Sequence, residues 1–284
     1  MERTEQAYAK LNLFLNVTGK RKDGYHELCS VMHAVTLADT VTVNAKRADY
    51  SCITVDVGES DIPKDERNLA YLAAEAFLSE TGIEAAVTVR IEKKIPVGAG
   101  LGGGSADCAA TLRALNALFA YPMGEDALLS LGARLGADVP FCLRGGTALC
   151  RGIGERMERY SVPEMHFVIA LPDGKKVATP EAYRLLDEQY EDFANVDPAL
   201  GDALFEFFDE DPVDGLFNIF ETVIATQIPE VQELSTRFVR LGARGALMTG
   251  SGPAVFAVFD SAEEAESVAA GIPCAIVCRS AVSE

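Results

Sequence analysis

The sequence predicts an α+β protein with two domains, each built on an antiparallel sheet covered by helices. Three observations support this prediction. The chain has 284 residues, 49% of them hydrophobic, and can therefore bury two cores of ordinary size. Its first third alternates apolar and polar residues as the strands of hairpins do. Its second half mixes short apolar strands with helices in an order that suits an antiparallel sheet covered on one side.

The first element is a strand at residues 7–17, AYAKLNLFLNV. Strict alternation puts Leu11 and Leu13 on one face and Lys10 and Asn12 on the other, so the strand is expected to present a polar face. A turn at residues 23–24 and two strand-like runs follow, which indicates an antiparallel sheet of hairpins.

The remaining elements follow from helical spacing, apolar alternation and turn residues. In chain order they are a helix at 66–78, a strand at 85–95, a helix from Ser105 to about Phe119 with a buried stripe of Cys108, Leu112, Leu115 and Phe119, a helix ending at Gly136, a hairpin at 145–155, a strand at 166–172, helices through an acidic region, a helix at 229–241, strands at 245–250 and 254–260, a helix at 261–272 and a strand at 274–280. The domain boundary is placed near Glu155.

Charge and cysteine content limit the class of protein. A formal net charge of −18 argues against a nucleic-acid binder, although lysines gather around Lys20 and Lys93, where an anionic small molecule could bind. The seven cysteines are scattered without zinc-binding spacing and are interpreted as reduced thiols. There is neither an apolar run of about 20 residues nor a signal-peptide pattern. A cytoplasmic protein without membrane or nucleic-acid partners is expected.

The stretch VGAGLGGGSADCAATLRAL, residues 97–115, is a glycine loop that opens a helix. It contains G-x-G-x-x-G, but a second helix follows where a dinucleotide-binding unit needs a strand. The P-loop pattern also fails, because Gly104 stands where its lysine belongs. Glycines let backbone N–H groups turn inward, and with Ser105 as the helix cap the first turn would bind an anion. The alternative is a glycine-rich linker with an ordinary cap.

Three segments together, AYAKLNLFLNV, IPVGAGLGGGSAD and MTGSGPAVFAVF, resemble the three ordered motifs of the GHMP kinase superfamily. The resemblance implies a two-domain fold with the active site in the cleft between an N-terminal ATP-binding domain, residues 1–155, and a C-terminal antiparallel-sheet domain, residues 156–284. DGYHEL at 23–28 and LGADVPF at 135–141 resemble one branch of the superfamily. That branch uses ATP and Mg²⁺ to phosphorylate the 2-hydroxyl of 4-diphosphocytidyl-2-C-methyl-D-erythritol in the non-mevalonate isoprenoid pathway.

The resemblance implies that Lys10 and Asp138 are the catalytic pair. A carboxylate that orients or deprotonates the attacking hydroxyl and an ammonium that offsets developing charge suit phosphoryl transfer, which depends mostly on positioning and charge. From the residues alone, Asp138 could equally be the N-cap of a helix that follows the stop at Gly136. Lys10 could be an exposed strand lysine.

The resemblance also assigns binding residues. They are Pro96, Gly98, Gly100, Leu101, Gly102, Gly103, Gly104 and Ser105 for the ATP phosphates, Asn68 and Lys93 or Lys94 near adenine, Asn12, Tyr25, His26 and Tyr183 for the cytidyl substrate, and Gly250, Ser251 and Gly252 for a tight turn facing the glycine loop. Ser105 or Asp107 is a possible Mg²⁺ ligand. Each has an alternative as a cap, a turn residue, a surface charge or, for Asp107, an acid favoured by the helix dipole.

Two other functions stay open on the sequence. One is a kinase of this superfamily for another small alcohol, such as homoserine or mevalonate, which would have no base for Tyr25 and His26 to contact. The other is a nucleotide-binding regulator without turnover, which the presence of both Lys10 and Asp138 disfavours. The acidic segment at 187–214 receives no role.

Overall fold

The computed structural model of the protein describes residues 1–172, 177–190, 208 and 210–281. Its strands are β1 (Glu2–Lys20), β2 (His26–Arg47), β3 (Cys52–Asp56), β4 (Ala85–Glu92), β5 (Thr147–Gly152), β6 (Arg156–Arg159), β7 (His166–Ala170), β8 (Phe217–Asn218), β9 (Gly245–Met248), β10 (Val255–Phe259) and β11 (Ile276–Arg279). Its helices are α1 (Leu69–Thr81), α2 (Gly103–Leu118), α3 (Glu125–Leu135), α4 (Val139–Arg144), α5 (Thr179–Gln189), α6 (Glu221–Gln227), α7 (Glu230–Arg240) and α8 (Ala262–Ala269). Most of the acidic region in which further helices were predicted lies outside the described residues.

The first sheet is built around two long antiparallel strands, β1 and β2. Because β2 is 22 residues long, its first half pairs with β5 while its second half pairs with β4. The sheet runs in the order β3, β4, β2, β1, β8, with the β5–β6 hairpin attached to β2. The turn at residues 23–24 and the hairpin at 145–155 are confirmed, but the two strand-like runs predicted after that turn form one strand, β2. Strand β3 pairs with β4, and β8 pairs with β1, in parallel, which local alternation does not reveal.

Both faces of β1 are covered at its centre. Leu11 and Leu13 are fully buried, as expected, but Lys10 and Asn12 are only 5% and 1% exposed. The alternative that Lys10 is an exposed strand lysine is therefore wrong, and the polar face of the strand is itself buried. The register of β1 against β2 shifts between Tyr8 and Lys10 and again after Asn12, so strict alternation is interrupted at these residues.

The buried stripe predicted for the helix after the glycine loop is confirmed. Cys108, Leu112 and Leu115 of α2 are fully buried, and Phe119 just beyond its end is 8% exposed. This helix packs on β1 and β2 and against α1, and residues of all four elements join one hydrophobic core. The packing fixes the first turn of α2 relative to the strand that carries Lys10.

The second sheet has the order β11, β7, β10, β9, and all its pairings are antiparallel, as predicted. Helices α7 and α8 pack on it and supply the apolar residues of a second core, including Phe238 and Ala265. Residues 249–254 connect β9 to β10 and so place motif three at one end of this sheet.

The two sheets are joined at several points. Strand β8, although it lies in the second half of the chain, pairs with β1 of the first sheet. At the end of the described chain, Ala281 donates a backbone hydrogen bond to Ala34. The predicted boundary near Glu155 falls in the turn between β5 and β6, which pair with each other, and the division at that residue stays a prediction.

No helix in the described part of the chain is long and apolar enough to cross a membrane.

His33 provides a pH test of the junction between the sheets. Its ring is buried and hydrogen-bonds Thr147 and Ser280 at 2.7 and 2.9 Å, and burial lowers its pKa from 6.5 to about 4. Below pH 6.5 the imidazole is therefore protonated in the unfolded state but stays neutral in the folded state. The free energy of unfolding falls as pH is lowered, until pH reaches about 4. Between pH 6.5 and pH 5 this contribution amounts to about 2 kcal/mol.

We therefore expect urea unfolding to show a smaller loss of stability in His33→Gln than in the parent when pH is lowered from about 7 to about 5. The glutamine can still bond both hydroxyls but takes up no proton. An identical pH dependence in the two proteins would contradict this role of His33.

Candidate active site

A cleft of about 930 Å³ lies between the two sheets, and residues from both halves of the chain line it. The first half contributes the strand β1, the glycine loop and the start of α4. The second half contributes α5 and the motif-three turn, which we define as Gly250, Ser251 and Gly252. Most of the predicted site residues are therefore brought together in one cavity.

The glycine loop opens α2 earlier than the sequence suggests. The helix begins at Gly103, and its N-cap is Gly102, with φ of 70° and no side-chain cap. The prediction that Ser105 caps the helix is wrong, because Ser105 already lies in the first turn. Gly98, Gly100 and Gly102 all have positive φ, a conformation that glycine adopts without strain. The first-turn N–H groups have no partners within the helix and can bind an anion.

The glycine loop is packed tightly on both sides. The backbone N–H of Lys10 donates to the carbonyl of Leu101 at 3.0 Å. An ideal Cβ placed on Gly102 would lie 2.9 Å from Cγ of Lys10, so the lysine stem crosses the loop where no side chain fits. On the opposite side, an ideal Cβ on Gly100 would lie 2.3 Å from the carbonyl oxygen of Thr249.

The motif-three turn thus faces the glycine loop, as the sequence analysis expected. An ideal Cβ on Gly250 would lie 2.7 Å from the carbonyl oxygen of Gly100. Ala254 donates a backbone hydrogen bond to Ala99 at 3.3 Å, and the Ser251 and Thr179 hydroxyl oxygens are 2.9 Å apart. Contacts of this kind attach the loop to both domains.

Lys10 and Asp138 meet in the cleft. Lys10 Nζ lies 3.5 Å from Asp138 Oδ2 and donates to Asn12 Oδ1 at 2.6 Å. Asp138 occupies the N-cap position of α4, but its side chain makes no capping hydrogen bond, and it remains 29% exposed. A half-exposed carboxylate beside a buried ammonium can accept a hydrogen bond from a hydroxyl brought into the cleft.

His26 and Tyr183 form an aromatic pair elsewhere in the cleft. Their rings are stacked with centroids 4.7 Å apart and an interplanar angle of 27°. Burial and, secondarily, the charge of Asp138 raise the pKa of Tyr183 to about 12, so the phenol stays protonated. Tyr25, by contrast, is 60% exposed at the rim. The stacked pair offers a flat surface for a planar ring.

Asp187 connects this pair to strand β1. Its Oδ1 lies 2.7 Å from Nε2 of His26, and its Oδ2 accepts from Lys20 at 2.5 Å. Burial opposes ionisation of Asp187, but the hydrogen bonds from Lys20 and His26 prevail and lower its pKa. The sequence analysis gave the acidic segment from residue 187 no role, yet its first residue lines the cleft. Asp187 follows Tyr183 by one helical turn, a spacing that could have revealed it.

The residues predicted near adenine have structural partners of their own. Asn68 caps α1, accepting from Ala70 N and donating to the Pro63 carbonyl. Lys93 lines the cleft, and its Nζ donates to Asp39 and Asp107 at 2.5 and 2.8 Å. Lys94 is exposed and is not among the residues that line the cleft.

The carboxylates around Lys93 form a buried cluster beneath the glycine loop. Asp39 also accepts from the backbone N–H groups of Lys94 and Ile95. Burial raises the pKa of Asp107, and the neighbouring Asp39 adds to this shift, while Lys93 opposes it. Burial alone would lower the pKa of Lys93, but the two carboxylates raise it. Asp39 could not be predicted from the sequence, because nothing in the local pattern LADT links it to a loop more than fifty residues away.

Thr249 and Asn218 also escaped the sequence analysis. The buried hydroxyl of Thr249 accepts from the backbone N–H of Asn12 at 3.0 Å, which ties motif three to β1. Asn218 donates to the carbonyls of Met248 and Gly250 at 2.7 and 2.9 Å, supporting the motif-three turn from below. Thr249 is separated from its partner by more than two hundred residues in the sequence. Asn218 is separated from its two partners by about thirty residues.

Residues 68–146 match the family model of the GHMP kinases N-terminal domain, and residues 194–276 match that of the GHMP kinases C-terminal domain. The first match includes the glycine loop, and the second includes motif three.

Two relatives are named 4-diphosphocytidyl-2-C-methyl-D-erythritol kinase. The one from Caldicellulosiruptor saccharolyticus is 42% identical, covering 89% of this chain and 87% of the relative. The one from Desulfitobacterium hafniense is 44% identical, covering 93% of this chain and 89% of the relative.

Among solved structures, a crystal structure of 4-(cytidine 5′-diphospho)-2C-methyl-D-erythritol kinase has a TM-score of 0.80, with 36% identity over 99% of this chain and 100% of that chain. Homoserine kinase from Cytophaga hutchinsonii has a TM-score of 0.78 at 23% identity, covering 99% and 95% of the two chains, and shows the shared fold alone.

Glycine substitutions test the packing of the loop. Gly100→Ala would bring a methyl group against the Thr249 carbonyl at a residue whose φ is +81°. We expect the free energy of unfolding to fall by at least about 2 kcal/mol in urea titrations. Gly104→Ala is the matched control, because its nearest contact would be Leu69 Cδ1 at 3.7 Å. It should change stability by less than about 1 kcal/mol. Equal losses in both variants would contradict the close contact.

Proposed function

Since this chain belongs to the GHMP kinase family, we propose that it transfers the γ-phosphate of ATP to the 2-hydroxyl group of 4-diphosphocytidyl-2-C-methyl-D-erythritol, a step of the non-mevalonate pathway to isoprenoid precursors. One observation carries the proposal. A single cleft contains the glycine loop, the Lys10–Asp138 pair and the stacked His26–Tyr183 rings, so it offers a place for phosphates, for a hydroxyl and for a base.

The Lys10–Asp138 pair suits a transfer that depends on positioning. The carboxylate of Asp138 would accept the hydrogen bond of the attacking hydroxyl, and the ammonium of Lys10 would offset charge on the transferred group. Because the stem of Lys10 packs across Gly102, the end of this side chain lies beside the start of α2. The N–H groups of that turn would bind the phosphate oxygens. Hydroxyl and phosphate would therefore meet within the reach of both side chains.

Magnesium bound with ATP fits the residues at the start of α2. Within the described chain no cluster of three or more histidine, cysteine or acidic side chains could hold a metal by itself. Mg²⁺ with ATP needs no such cluster, because it takes most of its ligands from phosphates and water. Oδ1 of Asp107 is buried without a hydrogen-bond partner, and Ser105 offers a hydroxyl two residues earlier. We assign these two side chains as the ones that would hold the ion, which would neutralise phosphate charge.

The cytidine end of the substrate is assigned to the aromatic pair. Stacking on Tyr183 and His26 would bind the base, and Tyr25 at the rim would cover its other side. An ionised carboxylate cannot donate a hydrogen bond. In the contact between Asp187 and His26, Nε2 of His26 is therefore the donor and Asp187 the acceptor. Homoserine and mevalonate contain no base, so neither of them could stack on the aromatic rings at this end of the cleft.

A cytoplasmic location is part of the proposal. It rests on the seven cysteines, all of which are free thiols. Disulfide-free cysteines of this number are typical of a reducing compartment.

The reaction is tested by ADP release with Mg-ATP and four acceptors, namely 4-diphosphocytidyl-2-C-methyl-D-erythritol, methylerythritol 4-phosphate, homoserine and mevalonate. We expect turnover with the cytidyl substrate alone. Asp138→Asn removes the carboxylate that would accept the hydrogen bond of the attacking hydroxyl and should lower kcat by about 10²- to 10⁴-fold without loss of ATP binding. Asp126→Asn, at an exposed position of α3, is the control and should leave kcat unchanged. Turnover of another acceptor, or full activity of Asp138→Asn, would refute the assignment.

The base-binding role is tested with Tyr183→Ala. Loss of a stacking ring is worth about 1–3 kcal/mol per base, so KM for the cytidyl substrate should rise by about 10- to 100-fold. The KM for ATP should not change, which also shows that the variant is folded. Tyr50→Ala, at a tyrosine that is 71% exposed in a turn, is the matched control. Equal increases in both KM values would show that Tyr183 supports the whole cleft instead.

A further inference from the structure

A chain of buried polar side chains runs from the Lys10–Asp138 pair into the first sheet. Lys10 Nζ donates to Asn12 Oδ1 at 2.6 Å, Asn12 Nδ2 donates to Ser30 Oγ at 2.8 Å, and Ser30 Oγ donates to the carbonyl of Phe14 at 2.7 Å. Lys10, Asn12 and Ser30 are 5%, 1% and 0% exposed. Ser30 belongs to β2, and it is not among the residues that line the cleft.

The directions of these three hydrogen bonds follow from the groups at the two ends of the series, which are the Phe14 carbonyl and the Lys10 ammonium. The carbonyl of Phe14 can only accept, so the hydroxyl proton of Ser30 points to it and the lone pairs of Oγ point to Asn12. The group of Asn12 that faces Ser30 must then be its NH₂ group. The remaining oxygen of the amide faces Lys10, whose ammonium can only donate.

We propose that Ser30 is a positioning residue for the transfer reaction, which holds the amide of Asn12 in the orientation that binds the Lys10 ammonium beside Asp138. The proposal rests on the proposed function, because it assigns Ser30 a part in that reaction. Ser30 itself touches no substrate. It acts through Asn12.

The position of Lys10 depends on this orientation. The lysine side chain has four rotatable bonds, and the packing of its stem on Gly102 places Cγ, Cδ and Cε but not Nζ, which can still rotate about the Cδ–Cε bond. The contact to Asp138 is 3.5 Å long, whereas the contact to Asn12 is 2.6 Å, so the amide oxygen is the closer anchor of the ammonium. Without Ser30, the NH₂ group of Asn12 loses its acceptor in a site shielded from water, which is costly. The amide then turns its NH₂ group toward another acceptor, which moves its oxygen away from the ammonium.

Ser30→Ala should therefore lower kcat for the cytidyl substrate by about 10-fold, corresponding to about 1.4 kcal/mol of transition-state stabilisation, while KM for ATP stays within about 2-fold. Ser235→Ala is the matched control. Ser235 is also a buried serine whose hydroxyl donates to a backbone carbonyl, that of Val231, but it lies in α7 away from the cleft. It should leave kcat unchanged. Should Ser30→Ala fail to fold, Ser30→Cys fills the same volume with a weakly bonding thiol and should show the same loss.

A double-mutant cycle separates positioning from a structural role. If Ser30 acts only through Asn12, adding Ser30→Ala to Asn12→Ala lowers kcat no further. Independent losses that multiply in the double variant would overturn the proposal, and so would a kcat of Ser30→Ala equal to that of the parent.

A crystal structure of Ser30→Ala tests the same inference without turnover. We expect Lys10 Nζ to move out of hydrogen-bonding distance of Asn12 while the strands keep their register. An unchanged Lys10–Asn12 contact would overturn the role of Ser30. Because this measurement does not use the reaction, it decides the inference even if the acceptor panel refutes the proposed substrate.

Discussion

The candidate active site depends on the close packing of the glycine loop between Lys10 and Thr249. The stem of Lys10 occupies the space in which a side chain on Gly102 would lie. The carbonyl oxygen of Thr249 occupies the corresponding space at Gly100. The loop therefore cannot shift without losing contact with both domains, and its first turn stays beside the stem of Lys10. Glycine permits this arrangement because it has no Cβ and tolerates positive φ. A site that promotes transfer by positioning requires such rigidity.

Electrostatics in the cleft differ from those of the whole molecule. The chain carries a formal net charge of −18, yet the anion-binding part of the cleft offers Lys10, Lys93 and the first turn of α2. Both lysines are paired with carboxylates, so neither is a buried charge without a partner. Backbone amides can bind phosphate without adding net charge. The protein can thus bind a highly charged nucleotide although its surface is acidic.

Much of the fold and of the site could be predicted from local pattern. Alternation and helical spacing located the strands of the second sheet and the buried stripe of α2, because burial on one face leaves a periodic signature. Motif one located Lys10, the segment LGADVPF located Asp138, and motifs two and three located the loops around them. The start of α2 was missed, because a helix capped by the backbone of Gly102 carries no serine or aspartate signal at that position. The burial of Lys10 and Asn12 was also missed, since alternation identifies two faces of a strand but not what covers the second.

The sequence by itself determined the class of fold, the order of the elements and the residue types that a phosphate, a hydroxyl and a base require. Only the tertiary structure decided how these residues are oriented. Several orienting hydrogen bonds join residues that are distant in the sequence. They are those of Asp39 beneath the loop, of Thr249 with the backbone of Asn12, of Asp187 with His26 and of Ser30 with the amide of Asn12. The physical reason is that a hydrogen bond depends on distance and direction in space, whereas a local pattern records only which face of a helix or strand a residue occupies.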